Sequence, residues 1–383
     1  MAHVLFHRPT VWASPIQCST KVLARLTAGR GHQVNYLQAL LDPIHLLRGA
    51  GGYLQVWRDS PREESGVRIT TPATLVPVRD IRPLNSLIAA QLRYRLSIPS
   101  LRRAIPAPDL IWTTVPGSAR ALRRSFPKAR LVFHVVDYYP AFRGDAVKSL
   151  EWDDYTVADH ICTIGHTLQD YIVGDLGIPK AKVSVLGQGV EQEIYASDLP
   201  EPVALSDVSH PRAVWSGVLG KGDPLLFAEL AAAMAARKGS LVLIGPGEAW
   251  VDEIAERFPQ TVHAVGAVAP RDLPSWLVHC DLGVMLYDRA RQDVYKGQNP
   301  LKLYEYAAAG LPILSTPHDE YGHLLPPVLE IRAEADVEPA LVRVLDPAAD
   351  WADKIAAFTE DHSWQRKVDM ILSRFLSGME MGG

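Results

Sequence analysis

A lysine and a glutamate three residues apart are the first groups in this 383-residue chain placed to do chemistry. Lys302 and Glu305 lie in the run Asn299-Pro300-Leu301-Lys302-Leu303-Tyr304-Glu305-Tyr306-Ala307-Ala308-Ala309-Gly310. The pattern predicts a helix with a sharp start. Asn299 is a good N-cap, and Pro300 suits the first helical position, where its missing N–H costs little. Free amides near Leu301 and Lys302 then attract a phosphate, and Lys302 adds a mobile positive charge. Glu305 shares that helix face, where its carboxylate can accept hydrogen bonds from sugar hydroxyls. The same spacing equally describes a capped helix carrying an ordinary i,i+3 ion pair.

Further candidates stand at the ends of apolar runs. Gly217-Val218-Leu219-Gly220-Lys221 joins an expected strand to an expected helix from Pro224. Its glycines allow close backbone approach to a diphosphate, and Lys221 supplements Lys302. Asp137 follows the apolar run 131–136 and so stands at a strand's carboxyl end. A carboxylate there can act as general base on an attacking hydroxyl, or can simply cap a turn. Trp12, in the loop after the first strand, either stacks on a sugar ring or covers that loop. His166 is a candidate ligand contact, and Glu151 reads as a surface or supporting group. No GxGxxG, Walker or DxD pattern occurs, and no residues have metal-ligand spacing, so neither hydride transfer, kinase chemistry nor a metal cofactor is expected. Charge on a bound diphosphate falls to helix amides and Lys302.

Positioning such groups takes strands alternating with helices. Strand-like runs at 3–7, 33–37, 110–113, 131–136, 160–163 and 183–186 are separated by helix-length stretches, which implies a parallel α/β sheet. Residues 196–211 hold Pro200, Pro202 and Pro211 among polar residues and read as a linker. The alternation restarts at 213–216, 241–244, 262–265, 282–286 and 313–315, with helical patterns between. Two domains are therefore expected, 1–200 and 201–362, with a cleft between two sets of strand ends. Trp364, Val368, Ile371, Leu372 and Phe375 give 363–383 a packing stripe at helical spacing.

Composition narrows the class. With 48% hydrophobic and 21% charged residues, the chain reads as globular, and no apolar stretch is long enough to span a membrane. The start shows no secretory signal, and Cys18, Cys162 and Cys280 are too scattered for a disulfide framework, which points to the cytoplasm. The net charge of -4 conceals a division. Residues 1–200 carry 23 Lys and Arg against 17 Asp and Glu, whereas 201–383 carry 16 against 26. Within 79–130 the count is 11 against 2. Interleaved arginines and apolar residues there fit an anionic membrane surface or a solvated helix face. No aromatic platform of the kind single-strand nucleic-acid binders use accompanies them.

The run from Pro300 to Gly310, continued by Leu311-Pro312, resembles the donor-site helix of GT-B glycosyltransferases, nearest to exopolysaccharide-assembly enzymes of the xanthan glucuronosyltransferase type. Ala213-Val214-Trp215-Ser216-Gly217-Val218-Leu219-Gly220, Leu243-Ile244-Gly245-Pro246-Gly247 and Val262-His263-Ala264-Val265-Gly266 are similar to further stretches of that family. The resemblance implies two Rossmann-like domains facing a cleft: an acceptor domain at 1–200, a nucleotide-sugar domain at 201–362, and a C-terminal helix at 363–383 crossing back. It implies a sugar nucleotide, UDP by family, with Lys302 on the diphosphate, Glu305 on the ribose, and Leu301, Tyr304, Gly217 and Lys221 in the donor site. Trp12 and His166 fall on the acceptor side, and Asp137 matches the family's proposed base. Gly297 stands where many retaining members carry a glutamate, which favours inversion. The implied acceptor is a lipid-linked or polysaccharide precursor, met at the inner face of the membrane. A DNA-base glycosyltransferase and a sugar-nucleotide epimerase on the same fold stay open, as does a binding module without catalysis.

Overall fold

Strands covered on both faces read as continuous apolar runs rather than alternating ones, and the runs of this chain pair accordingly. A computed structural model of the protein describes all residues except 15–17, 39, 43, 45–50, 78–86, 197 and 377–383, with backbone alone at 51–54, 292 and 293. The chain divides into two compact units: Met1–Gly187 with the segment from Gln365, and Gln188–Trp364.

The strands of the first unit are β1 (His3–His7), β2 (Gln33–Leu37), β3 (Arg62–Glu64), β4 (Val67–Thr70), β5 (Ala73–Thr74), β6 (Ser97–Ile98), β7 (Leu110–Thr113), β8 (Arg130–Val135), β9 (His160–Thr163) and β10 (Val183–Val185). Eight of them form one sheet in the order β10-β9-β8-β7-β1-β2-β4-β3, parallel except where β3 meets β4. Each of the six expected runs in this half is a strand, to within one residue. β3 to β6 were not foreseen. Arg62, Glu63 and Glu64 carry no apolar face, and β3 pairs with β4 through a two-residue hairpin. Ser65 and Gly66 there take φ 52° and 74°, the twist a tight hairpin requires.

The helix Trp364–Leu376 completes this unit. It buries Val368, Ile371 and Phe375, and the Phe375 ring packs on Trp112 at 6.3 Å and His160 at 5.3 Å. Leu372, counted in the expected stripe, is only half-buried. Arg30 pairs with Asp369 at 2.5 Å, and the buried Lys367 donates to the Leu186 carbonyl at 2.6 Å.

The second unit holds β11 (Arg212–Ser216), β12 (Ser240–Ile244), β13 (Val262–Gly266), β14 (Leu282–Met285), β15 (Ile313–Ser315) and β16 (Val328–Glu330). They form one parallel sheet in the order β13-β12-β11-β14-β15-β16. Counted within the unit this is 3-2-1-4-5-6, the doubly wound order of dinucleotide-binding sheets. The stretch 198–211, within the expected linker, is anchored to this unit at two points. Leu205 and Val208 are buried in the core of this unit. The Arg212 guanidinium donates to the Leu205 carbonyl at 2.7 Å and the Val208 carbonyl at 2.8 Å. Proline content suggested an open chain, but two apolar residues three apart and one buried arginine fasten it down.

Candidate functional site

Open parallel sheets bind ligands beyond the strand carboxyl ends, where the winding direction reverses. In the second unit that point lies between β11 and β14. Residues 217–222 leave β11 there, and 286–300 leave β14 and run into the helix Leu301–Ala308.

Close packing of that helix on the sheet depends on one residue the sequence pattern did not single out. A Cβ on Gly283 of β14 would stand 2.4 Å from the Tyr306 ring. Tyr306 in turn accepts the Ser216 amide through its hydroxyl at 2.8 Å, tying the helix to the end of β11. The next residue, Gly217, takes φ +114°, and a Cβ on it would lie 3.6 Å from Lys302 Nζ. Its carbonyl occupies the space a Cβ on Gly245 would need, 1.9 Å away. The two loops approach closely because both positions lack side chains.

Lys302 Nζ sits 3.5 Å from the centroid of the Trp215 ring and 5.1 Å from that of Tyr287. The aromatic faces hold the cation where no carboxylate does. Lys302 and Glu305 form no ion pair, so the i,i+3 salt bridge expected as the ordinary reading is not made, and neither residue has a hydrogen bond among the described residues. Both keep some accessible surface while their charged ends lie deep. Burial holds the Lys302 ammonium well below the ordinary lysine range, reinforced by the charge of Lys221 and opposed by Glu305. Burial likewise pushes the Glu305 carboxyl up to about 7, against the pull of Lys302. The backbone amides of Leu301 and Lys302 also lack partners among the described residues. Two amides, an ammonium and a carboxylate thus face one place without satisfying one another.

Details of the helix start differ from expectation. Pro300, not Asn299, occupies the cap position, and Asn299 Oδ1 instead accepts the Tyr304 hydroxyl at 2.8 Å. Tyr304, expected in the donor site, is fully buried, with its ring stacked on Phe358. Helical periodicity turns position 304 to the core while 301, 302 and 305 stay at the surface. Lys221 lies in a fixed loop: its carbonyl accepts the Asp288 amide at 2.9 Å. A network absent from the sequence reading supports both segments. Asp223 accepts the Leu225 and Leu226 amides and pairs with Arg289 at 2.7 Å, and Arg289 pairs with Glu334 at 2.6 Å. Trp215 and Tyr287 were missed as well. Their signal was an aromatic residue at the end of each strand flanking the reversal.

In the first unit Asp137 lies two residues beyond β8 and is half-buried. The turn after it is held firmly. Tyr139 donates to the Thr114 carbonyl at 2.9 Å, and Tyr138 packs edge-on against Tyr171 at 4.9 Å. Tyr171 and Tyr155 both donate to Glu151, at 2.8 and 3.0 Å. Glu151, read as a surface or supporting group, is completely buried, and burial raises its carboxyl against those hydrogen bonds. His166 follows β9, the parallel neighbour of β8, and so stands at the same end of the sheet as Asp137. Trp12 is packed rather than presented: its ring meets Tyr36 edge-on at 5.0 Å and its amide donates to Gln38.

The shifted Glu305 carries a stability consequence. Its folded value lies above the ordinary carboxylate value, so the folded state binds its proton more tightly and stability falls as pH rises toward 7. Glu305→Gln is expected to raise the stability of the ligand-free protein at pH 8 by about 1–2 kcal/mol, after allowance for partial solvation, and by much less at pH 5. Thermal melts at the two pH values check this. Equal stabilisation at both would show that the buried charge is not its source.

With two doubly wound sheets, parallel but for the β3–β4 pair, the chain has the GT-B fold. Residues 210–361, within the second unit, match the model of the family "Glycosyl transferases group 1". The chain is 25% identical over 248 residues to a putative teichuronic acid biosynthesis glycosyltransferase, TuaH, of Bacillus subtilis (strain 168). That match covers 58% of this chain and 60% of the relative. Among solved structures, Anabaena Alr3699/HepE in complex with UDP and glucose superposes with TM-score 0.70 at 14% identity, over 98% of this chain and 100% of that one. Sucrose-phosphate synthase from Thermosynechococcus elongatus gives 0.69 at 15% identity, over 99% and 100%.

Proposed function

We propose that the protein is a glycosyltransferase that moves a sugar from a UDP donor to a hydroxyl acceptor with inversion. The observation that carries this reading is the unsatisfied set at the β11–β14 reversal: the Leu301 and Lys302 amides, Lys302 Nζ and Glu305, all inside the matched family domain. The amides and Lys302, with Lys221 nearby, suit a diphosphate, and Glu305 suits the ribose hydroxyls. UDP is supported by the HepE structure, which contains it. A polysaccharide precursor as acceptor is supported by the described role of TuaH. Asp137 takes the acceptor proton as the hydroxyl attacks the anomeric carbon, and His166 lies on the acceptor side. Cationic groups already meet the leaving diphosphate, so transfer proceeds without a divalent ion. The protein works in the cytoplasm at an anionic membrane face that residues 79–130 contact; residues 79–86 of that stretch lie outside the described residues.

Thermal melts with UDP, UDP-sugars and other nucleotides, with and without EDTA, test the donor site. A saturating UDP-sugar is expected to raise the midpoint by several degrees through mass action, with no change on chelation. A flat response to every nucleotide overturns the donor site, and a shift abolished by EDTA overturns the metal-free assignment.

A further inference from the structure

The first unit carries a second concentration of positive charge, on a surface the catalytic reading does not use. A cavity of about 640 Å³ lies among the helices Leu87–Arg95, Leu101–Ala104 and Ala119–Ser125. Tyr94, Leu101 and Ala121 give it an apolar floor, and Arg95, Arg102 and Arg124 line it, with no carboxylate among the lining residues. The three arginines are held differently. Arg102 donates to the Arg124 and Ser125 carbonyls at 2.7 and 2.9 Å, which fixes it as a wall on the last carbonyls of a helix. Arg124 reaches only the neutral Gln91 side chain, at 3.3 Å. Arg95 has no hydrogen bond or ion pair among the described residues. Two neighbouring arginines, by contrast, are paired: Arg120 with Asp153, and Arg123 with Asp159 at 2.6 Å. Arg95 and Arg124 thus bring positive charge to the cavity with no carboxylate lining it to offset them.

Apolar side chains flank it. Ile88, Leu92 and Leu96 are spaced by four and are 74%, 37% and 42% exposed. That spacing makes one outward stripe beside Arg95, while Tyr94 on the inner side reaches His7 at 3.3 Å. Single exposed leucines are ordinary, but a stripe of them beside unpaired arginines is the composition of an interfacial helix. Nucleic acid is disfavoured because the one aromatic ring in the cavity, Tyr94, is buried and offers no face for stacking.

We propose that this cavity seats the phosphate group of an anionic phospholipid, with Arg95 and Arg124 as its cationic contacts and Ile88, Leu92 and Leu96 entering the acyl boundary. The proposal deepens the membrane-face reading above and needs nothing from the donor site. It is tested by co-flotation of the full chain with vesicles at low salt. Vesicles of phosphatidylcholine mixed with phosphatidylglycerol are expected to carry the protein, and vesicles of phosphatidylcholine alone are not. Arg95→Gln and Arg124→Gln are each expected to weaken partitioning roughly fivefold, and Leu92→Ser with Leu96→Ser to weaken it further. Arg343→Gln, an exposed charge in the other unit, serves as control and leaves it unchanged. Nucleotide melts of each variant should match those of the unmutated protein, so loss of lipid binding is distinguished from loss of the donor site. Equal flotation on both vesicle types, or Arg95 and Arg124 variants that behave like Arg343→Gln, overturns the proposal.

Discussion

Asp137→Asn is expected to fold as the unmutated protein does, bind UDP-sugar with unchanged affinity, and transfer sugar about a thousandfold more slowly. The amide keeps the shape of the side chain but cannot take a proton from a hydroxyl. The fold should survive because the adjoining turn is held by other groups: Tyr139 on the Thr114 carbonyl, Tyr138 on Tyr171, and Tyr171 on Glu151. The measurement is turnover with a saturating donor, alongside a thermal melt and donor titration of the same sample. Turnover near the unmutated rate would remove Asp137 from the base role. A collapse of donor binding together with turnover would make the residue structural.

Lys302→Met should have the second largest effect, and on binding rather than on the proton transfer. Methionine keeps the contact with the Trp215 ring but brings no charge to the diphosphate. One charge-assisted contact is lost, so affinity for UDP should fall about 10- to 100-fold. The depressed Lys302 adds a second readout. A diphosphate beside it favours the charged ammonium, so binding at alkaline pH should take up protons from solution. Calorimetry in buffers of different ionisation enthalpy reads that uptake. The Lys302→Met protein should show less of it. Unchanged affinity together with unchanged proton uptake would place the phosphate elsewhere.

The parts of the fold that could be read in the sequence are those where burial on both faces leaves an uninterrupted apolar run. β1, β2, β7, β9 and β15 were expected at their observed residues, and the helix Pro224–Ala236 likewise, because Asp223 and Pro224 mark its start. The region between β2 and β7 was not legible. Its strands are two to four residues long, and one of them is Arg-Glu-Glu, stabilised by a hairpin turn rather than by its own side chains. The helix start at 300–302 was legible because its chemistry is local: proline, free amides and a lysine lie within four residues. Its register was less so, since Tyr304 turns inward where the family resemblance implied a place in the donor site. What surrounds the segment was out of reach. Trp215, Tyr287, Gly283 and the Asp223–Arg289–Glu334 network come from four separate stretches, and only the sheet order places them together. The buried Glu151 was missed for the same reason, because its partners Tyr155 and Tyr171 satisfy it only after folding.

The interrupted layout of the first unit also has a consequence for how the protein is made. Its sheet is complete once Val185 has left the ribosome, but the helix that covers Trp112 and His160 begins only after all of the second unit has been translated. At roughly 5–20 residues per second the nascent first unit waits on the order of ten seconds or more with that strip uncovered. The second unit is continuous and can close as soon as it emerges. The inserted unit is therefore able to reach its final form before the unit that contains it, reversing the order in which their first residues are synthesised.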